Sequence, residues 1–432
     1  MPRQDASLAP QSPDFLGLVG NELQIAIARN ANLAYLAQQY RRAGVRHVRI
    51  ALDWDGIEAQ QGRFDWGYAD LRVSAIANSG IRTLGILGRT PQWASSCPNL
   101  VGPGGQPLFF VCIAANMDDY REYVRRTVRR YGPAGTRQIR DWEIRVESNP
   151  VSNDPGAYGV EDYVTEANAA FDVIRQEDPG ARVWVGEFAF GRFNFDSAMA
   201  WTTHVAQHAR FDIHSIHHFN SPQQTRDFTR AVRQRLDDLG LAAKPLAVTA
   251  MNLFVADLEH YTEAMQAANL RSLYVNAAAG GAAFAMWFAG TQWPDLADKK
   301  AGIFRYNFRV NNRVVPRRAY NALSDLGRNQ PVPPPRAVAY GCLGVSSNPC
   351  TPVNGQGQVA VHFFTTGLRQ RRIQIREGQR VIFCGRSNRA GIRNISVPQG
   401  AERTLTLHAA NSCAGGPLPG QPLARVTVRA LP

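Results

Sequence analysis

The sequence predicts an α/β protein, in which a (β/α)8 barrel is followed by a small antiparallel β domain. Short apolar segments alternate with longer amphipathic helical segments from Phe15 to about Leu326, a pattern typical of repeated βα units with a parallel sheet. Residues 331–335 then read Pro-Val-Pro-Pro-Pro, and alternating short segments follow them. A length of 432 residues fits one barrel and one small domain.

Eight apolar segments are predicted as the barrel strands. In chain order they are Phe15 to Val19, His47 to Leu52, Arg82 to Leu87, Asp141 to Val146, Arg182 to Phe188, Ile213 to His217, Leu246 to Thr249 and Ala283 to Phe288. Helical segments lie between them, such as Asp118 to Arg130, where Tyr120, Tyr123 and Val124 recur at helical spacing. In such barrels the functional site lies on the loops after the strands.

We divide the chain into four parts. Residues 1–13 are expected to be a disordered N-terminal segment, residues 14–328 the barrel, and residues 329–336 a proline-rich linker. Residues 337–432 are expected to form a small β-sandwich-like domain that carries four of the six cysteines. Its strands are predicted at Gln358 to Thr365, Arg372 to Arg376, Arg380 to Cys384 and Thr404 to His408.

The net charge of +13 would ordinarily suggest nucleic acid as a partner. Lysine occurs only at Lys244, Lys299 and Lys300, so the charge is almost all arginine, and it is spread along the chain. We therefore predict no nucleic-acid partner, although an anionic glycan stays compatible with the charge. No apolar run is long enough to predict a membrane span, and the oligomeric state stays open.

The six cysteines form three pairs of near neighbours: Cys97 with Cys112, Cys342 with Cys350, and Cys384 with Cys413. An even count favours disulfides and a secreted or otherwise extracytoplasmic protein, although the sequence allows fifteen connectivities. No spacing is typical of zinc, so neither a metal nor another cofactor is predicted. Met1 to Pro13 contain no signal peptide, and an export signal is expected to have been removed.

Several motifs together resemble clan A glycoside hydrolases, in particular the family 39 type of bacterial β-glycosidase. These are His47-Val48-Arg49-Ile50 with the following Asp53-Trp54 and Phe64-Asp65-Trp66, Thr90-Pro91-Gln92-Trp93-Ala94, Trp142-Glu143-Ile144-Arg145-Val146-Glu147-Ser148-Asn149, and Phe211-Asp212-Ile213-His214-Ser215-Ile216-His217-His218-Phe219. They occur in the family's order over about three quarters of the chain. The resemblance implies a barrel fold and a carbohydrate ligand.

The departures from the family pattern gather around one point. The resemblance places the general acid/base at Glu147, which is kept, and the nucleophile at Ala250, where a methyl group replaces the carboxylate. Val146 stands where the family has an Asn that binds the sugar, and Phe219 where it has a Tyr that contacts the nucleophile. Arg49 is kept where the family has an arginine that supports the nucleophile, and here it would lack that partner.

Retaining hydrolysis needs two carboxylates about 5 Å apart, and Ala250 removes one of them. The leading hypothesis is therefore a glycoside-hydrolase-like protein that binds a polysaccharide or oligosaccharide but has lost ordinary retaining hydrolysis. Three alternatives stay open. The first is a nucleophile knock-out of a retaining glycosidase, and the second is an inverting enzyme that uses Glu147 with Glu187, whose carboxyl groups would have to lie about 6.5–9.5 Å apart. The third is a non-catalytic scaffold. Glu187 has the structural alternative of pairing with a barrel arginine, and for Glu143 a structural salt bridge is favoured.

Aromatic side chains near the strand ends are predicted to contact the sugar. Trp54, Trp93, Trp287 and Trp293 lie at or after strand ends, where sugar rings stack on flat indoles, although core packing is the default for any single tryptophan. The resemblance favours Trp287 as a sugar platform. It also implies that His217 makes a hydrogen bond within the site.

Overall fold

The computed structural model describes residues 14–20, 33–102, 104–135, 139–149, 158–191, 194–253, 262–288, 291–292, 302–307, 313–327, 338–340, 358–364, 372–386, 390–396, 402–414 and 422–429. These residues form two compact units. The first contains all eight barrel strands, and the second contains two early helices together with the C-terminal strands.

Eight parallel strands close into a barrel in sequential order, which confirms the predicted fold class. The strands are β1 (Leu16–Val19), β2 (His47–Ala51), β3 (Arg82–Leu87), β4 (Asp141–Ile144), β5 (Arg182–Phe190), β6 (Ile213–His218), β7 (Leu246–Met251) and β8 (Phe284–Trp287). Their side chains are almost all buried, as expected for a parallel sheet that is covered on both faces.

The register is irregular on the side of the barrel formed by β5 to β8. It shifts between Gly186 and Phe188, between Ile216 and His217, and between Val248 and Met251. Such bulges redirect the side chains beside them and often occur next to functional sites. Three neighbouring strands are therefore irregular where the sequence places its candidate residues.

The helices are α1 (Leu33–Arg42), α2 (Trp54–Ile57), α3 (Gly67–Ser79), α4 (Met117–Tyr131), α5 (Val160–Glu177), α6 (Phe195–His208), α7 (Pro222–Asp238), α8 (Glu263–Ala279) and α9 (Arg318–Gly327). Their ends follow ordinary capping chemistry. The Asn116 side chain accepts the amide of Asp118 at the start of α4, and Ser221 and Gln224 form a capping box before α7. No helix in these described segments is long and apolar enough to cross a membrane.

The second unit contains α1, α3 and two antiparallel sheets. One sheet has the order β12-β13-β16 and the other β15-β14-β17-β18. The strands are β12 (Val338–Tyr340), β13 (Gln358–Phe364), β14 (Arg372–Glu377), β15 (Arg380–Arg386), β16 (Ala390–Ser396), β17 (Glu402–Ala410) and β18 (Ala424–Arg429). The predicted antiparallel β structure after the barrel is confirmed, and a disulfide joins Cys384 to Cys413.

A small sheet in the barrel unit was not predicted. It has the order β11-β10-β9, with β9 (Thr291–Gln292), β10 (Phe304–Asn307) and β11 (Arg313–Pro316). The N-terminal segment 1–13, the linker prolines 331–335, Trp293 and the Cys342 and Cys350 pair lie outside the described residues. The proposed boundaries at residues 328 and 337 remain predictions.

Candidate active site

The backbone is strained at four residues that follow or lie within strands β3 to β5. Among the described residues other than glycine, only Arg89, Arg145, Glu147 and Glu187 have positive φ angles, of 58°, 65°, 50° and 48°. They follow β3 and β4 or lie within β5. Residues with side chains seldom adopt this conformation, and such strain is concentrated at functional sites. The backbone therefore marks the same face as the motifs.

Glu147 and His217, from the loop after β4 and from β6, lie in contact. His217 Nδ1 lies 2.9 Å from Glu147 Oε1, and the side chain of Glu147 is 38% exposed while that of His217 is buried. Burial opposes ionisation of Glu147, but the hydrogen bond and charge of His217, and then Arg49, leave the pKa of Glu147 below its ordinary value. Burial also lowers the pKa of His217. At neutral pH a neutral imidazole therefore donates Nδ1–H to an ionised carboxylate.

This charge state differs from that of a general acid, which must hold a proton at working pH. In a retaining pair the second carboxylate raises the pKa of the first by repulsion. Strand β7 reads Leu-Ala-Val-Thr-Ala-Met and supplies no carboxylate. The lowered pKa of Glu147 therefore does not favour the role of a general acid.

Arg49 forms a salt bridge with Glu143. Its Nε donates to Glu143, and both side chains are buried. The second oxygen of Glu143 accepts Ser215 Oγ at 2.9 Å. The structural salt bridge expected for Glu143 is confirmed. The salt bridges of Arg49 and Arg145 are with Glu143 and Glu166, whereas Glu147 contacts His217.

Ala250 lies in an apolar environment. It is 2% exposed and belongs to a core cluster with Val19, Leu84, Trp184, Ile213, Ala247, Phe284 and Met286. Phe219 and Phe288 are partly buried against this cluster, and their rings meet edge to face with centroids 5.8 Å apart. Ala250 is the register partner of His217 on the neighbouring strand. The position of the expected nucleophile is therefore a buried member of the hydrophobic core, next to His217 on the neighbouring strand.

Glu187 is buried beneath the site. Its strained backbone lies at a bulge that begins at Gly186. Gly186 is so close to β6 that an added Cβ atom would lie 2.3 Å from the carbonyl oxygen of Ser215. Glu187 Oε2 lies 3.0 Å from the hydroxyl of Tyr163, and Oε1 accepts Ser148 Oγ at 3.3 Å. Burial, and next the charge of Glu143, raise the pKa of Glu187 well above its ordinary value. Among the described residues, no arginine forms a salt bridge with it.

Two hydroxyl groups, those of Tyr163 and Ser148, donate to Glu187. The Tyr163 hydroxyl also accepts the amide of Gly186 at 2.7 Å and lies 3.2 Å from the carbonyl of Ile144. These two donors favour the ionised carboxylate, but burial and the charge of Glu143 outweigh them, so the pKa of Glu187 stays raised. An inverting base must be ionised and must reach a water molecule. Burial raises the pKa of Glu187 and keeps its carboxyl group away from bulk water, so its surroundings do not favour that role.

Glu187 makes stability depend on pH. Its pKa in the folded protein lies above the unfolded value of about 4.3, so its contribution is complete below that value and is lost as the pH rises through the folded pKa. We expect wild type to lose more stability between pH 5 and pH 9 than Glu187→Gln, as measured by urea unfolding. Exposed Glu161→Gln is the control. Equal pH slopes for wild type and Glu187→Gln would contradict the assignment.

Two predicted sugar platforms need correction. Trp54 is buried, donates to Glu58 at 2.8 Å and stacks on Tyr123 with ring centroids 5.2 Å apart. Trp287 is also completely buried. Neither indole presents a face to a sugar, because each is used in packing. Trp93 is partly exposed and donates to the carbonyl of Glu58 at 2.8 Å.

Val146 is 44% exposed beside Glu147, and its side chain offers no polar group. Ser148, Tyr163 and Ser215 contact the buried carboxyl groups of Glu187 and Glu143 and were not predicted as site residues. Serines and a helical tyrosine give no signal of such a role. The role of Arg145 was also missed; its guanidinium pairs with Glu166 and binds the loop after β3.

The chain is similar to several carbohydrate-active proteins. It is 25% identical over 165 residues to endo-1,4-beta-xylanase 3 of Hypocrea jecorina, a match that covers 36% of this chain. The chain spans 42% of the length of that curated relative. No protein-family profile matches the chain.

Solved structures give broader coverage at low sequence identity. The family 39 glycoside hydrolase of Xanthomonas axonopodis pv. citri has a TM-score of 0.58 at 16% identity, covering 86% of this chain and 82% of its own. The family 39 β-xylosidase of Caulobacter crescentus has a TM-score of 0.56 at 16% identity, covering 88% and 84%. The fold is therefore that of family 39 glycoside hydrolases, and the predicted resemblance is confirmed at this level.

Proposed function

We propose that this protein binds a polysaccharide or oligosaccharide on a glycoside hydrolase fold and does not carry out ordinary retaining hydrolysis. The observation that carries the proposal is Ala250, which lies in an apolar cluster on β7 where the resemblance places a nucleophile. Removing a nucleophile typically costs several orders of magnitude in rate. Glu147, kept ionised by His217, supports the same conclusion.

Three features favour a carbohydrate as the ligand. Glu147 and Val146 are exposed on the loop after β4, and Trp93 is partly exposed on the loop after β3. Aromatic surface beside a few polar groups is the usual composition of a sugar site. The solved neighbours include a β-xylosidase and the curated relative is a xylanase, so β-1,4-linked xylo-oligosaccharides are the first probes.

Extracytoplasmic location is part of the proposal. A disulfide joins Cys97 to Cys112, and a second joins Cys384 to Cys413. Such bonds persist in oxidising compartments and are rare in the cytosol. Extracellular polysaccharides would be accessible to a protein of this kind.

We expect calorimetry to detect binding of at least one member of a panel of xylo-, cello- and manno-oligosaccharides, together with uronate oligomers. Assays for reducing sugar and for aryl glycosides should show no turnover above a buffer blank. The Glu147→Gln variant should change affinity while turnover stays absent. Sustained turnover by wild type would overturn the loss of hydrolysis, and absence of binding to every probe would favour the scaffold alternative.

A further inference from the structure

Arg89 follows β3 in a conformation that its side chain does not favour, with φ of 58°. The chain is held there by hydrogen bonds from the amide of Trp54 to Gly88 at 2.8 Å and from the amide of Asp55 to Arg89 at 2.9 Å. Strain of this kind persists only where surrounding contacts enforce it, and it often accompanies function. Neither the motifs nor the contacts of Glu147 account for it.

The side chain of Arg89 is part of a polar and aromatic surface. Its guanidinium is 44% exposed, pairs with Asp55 at 2.9 Å and lies 3.8 Å from the ring centroid of Phe110. Phe109 and Phe110 are both partly exposed, and their rings are nearly perpendicular, with centroids 6.0 Å apart. An apolar surface is thus flanked by a group of hydrogen-bond donors and a carboxylate acceptor.

This surface is preorganised. The Cys97–Cys112 disulfide closes the loop that carries both phenylalanines. Arg145 donates to the carbonyl of Phe110 at 3.2 Å and to that of Cys112 at 2.8 Å, and Glu166 receives the same guanidinium. A ligand would bind without first ordering the loop, which lowers the entropy cost of binding.

Arg145 links this surface to the loop that carries Glu147. Its side chain donates to the carbonyl of Phe110, and its backbone lies two residues before Glu147. Phe110 and the Glu147 loop are therefore separated by about the length of one arginine side chain. The charge of Arg89 is balanced by Asp55, and the pair offers both donors and an acceptor. Sugar hydroxyl groups both donate and accept hydrogen bonds, and the C–H faces of sugar rings pack on aromatic rings. A ligand with a carboxylate would be repelled by Asp55, so the surface favours a neutral sugar.

We propose that Arg89, Asp55, Phe109 and Phe110 form a second sugar subsite, which binds a neutral pyranose residue of a chain that also contacts the region of Glu147. This inference rests on the proposed glycan binding and adds that the ligand is an oligosaccharide several residues long. A monosaccharide would fill only one of the two positions.

The test is the dependence of affinity on chain length, measured by calorimetry with xylose to xylohexaose. Affinity should rise by about tenfold once the chain is long enough to reach the second subsite. Arg89→Asn removes the guanidinium with a residue that tolerates positive φ, and Phe110→Ala removes the ring. Each should abolish the rise while affinity for the shorter chains is kept.

The matched control is Phe171→Ala, because Phe171 is a partly exposed ring on α5 that lies under the guanidinium groups of Arg175 and Arg210. It should leave the whole length series unchanged. Thermal unfolding checks that each variant is folded. A length rise that survives in both Arg89→Asn and Phe110→Ala, or no rise in wild type, would overturn the subsite and leave glycan binding intact. If wild type binds no member of the full panel, both proposals fail.

Discussion

Replacing Ala250 by Glu is expected to destabilise the protein by at least about 2 kcal/mol without creating a glycosidase. The new side chain would have to fit at a buried position of the hydrophobic cluster that contains Ala250, where Phe219 and Phe288 also pack. It would also place a carboxylate in a region of low dielectric. Arg49 Nη2 is buried without a hydrogen-bond partner among the described residues, and it offsets only part of this cost because Arg49 is held by Glu143.

Ala250→Met separates the two contributions, since it adds comparable volume without charge. We expect Ala250→Met to be less destabilising than Ala250→Glu in urea unfolding at pH 7. Aryl glycoside assays of Ala250→Glu, and of wild type with added azide, should both show no turnover. Activity in either assay would show that the chain is a knock-out of a retaining enzyme, and a stable Ala250→Glu variant would contradict the apolar packing.

The second large effect is expected at Glu143. Glu143→Gln leaves the buried guanidinium of Arg49 without its counter-charge, and breaking a buried pair in this way typically costs about 3–5 kcal/mol. The double variant Arg49→Met with Glu143→Leu removes both charges and should recover most of that loss. The free energy of unfolding from urea titrations measures both.

An exposed pair provides the matched control. Asp172 and Arg210 are both more than half exposed, and Asp172→Asn should change stability by less than about 1 kcal/mol. If Glu143→Gln were as mild as Asp172→Asn, Arg49 would have to be solvated or paired elsewhere. A double variant as unstable as Glu143→Gln would show that the loss comes from packing and not from an unpaired charge.

Much of the fold was predictable because it depends on local pattern. Each barrel strand is a short apolar run between amphipathic helices, so all eight were located with ends that differ by only a few residues. The small sheet β9 to β11 was missed because its strands are only two to four residues long. A candidate site could be predicted because Glu147, His217 and Ala250 lie in motifs at strand ends.

Chemical state was harder to predict than position. Trp54 and Trp287 lie at strand ends in sequence, but whether such a ring faces the cleft or the core depends on side-chain packing. Glu147 follows β4 and Glu187 lies within β5, and both are glutamates. Their pKa values shift in opposite directions. Glu147 accepts a hydrogen bond from His217 near solvent, whereas Glu187 is buried near Glu143.

The amino-acid sequence by itself determined the barrel, the β structure after it, the candidate site residues and the absence of a carboxylate at position 250. These follow from hydrophobic periodicity and residue identity, which are written in the chain. Only the tertiary structure decided that Arg49 binds Glu143, that Ala250 belongs to a buried apolar cluster, and that Arg89 lies over Phe110. Those outcomes depend on which distant side chains meet and on how much water they exclude, and both are set by the closure of the barrel.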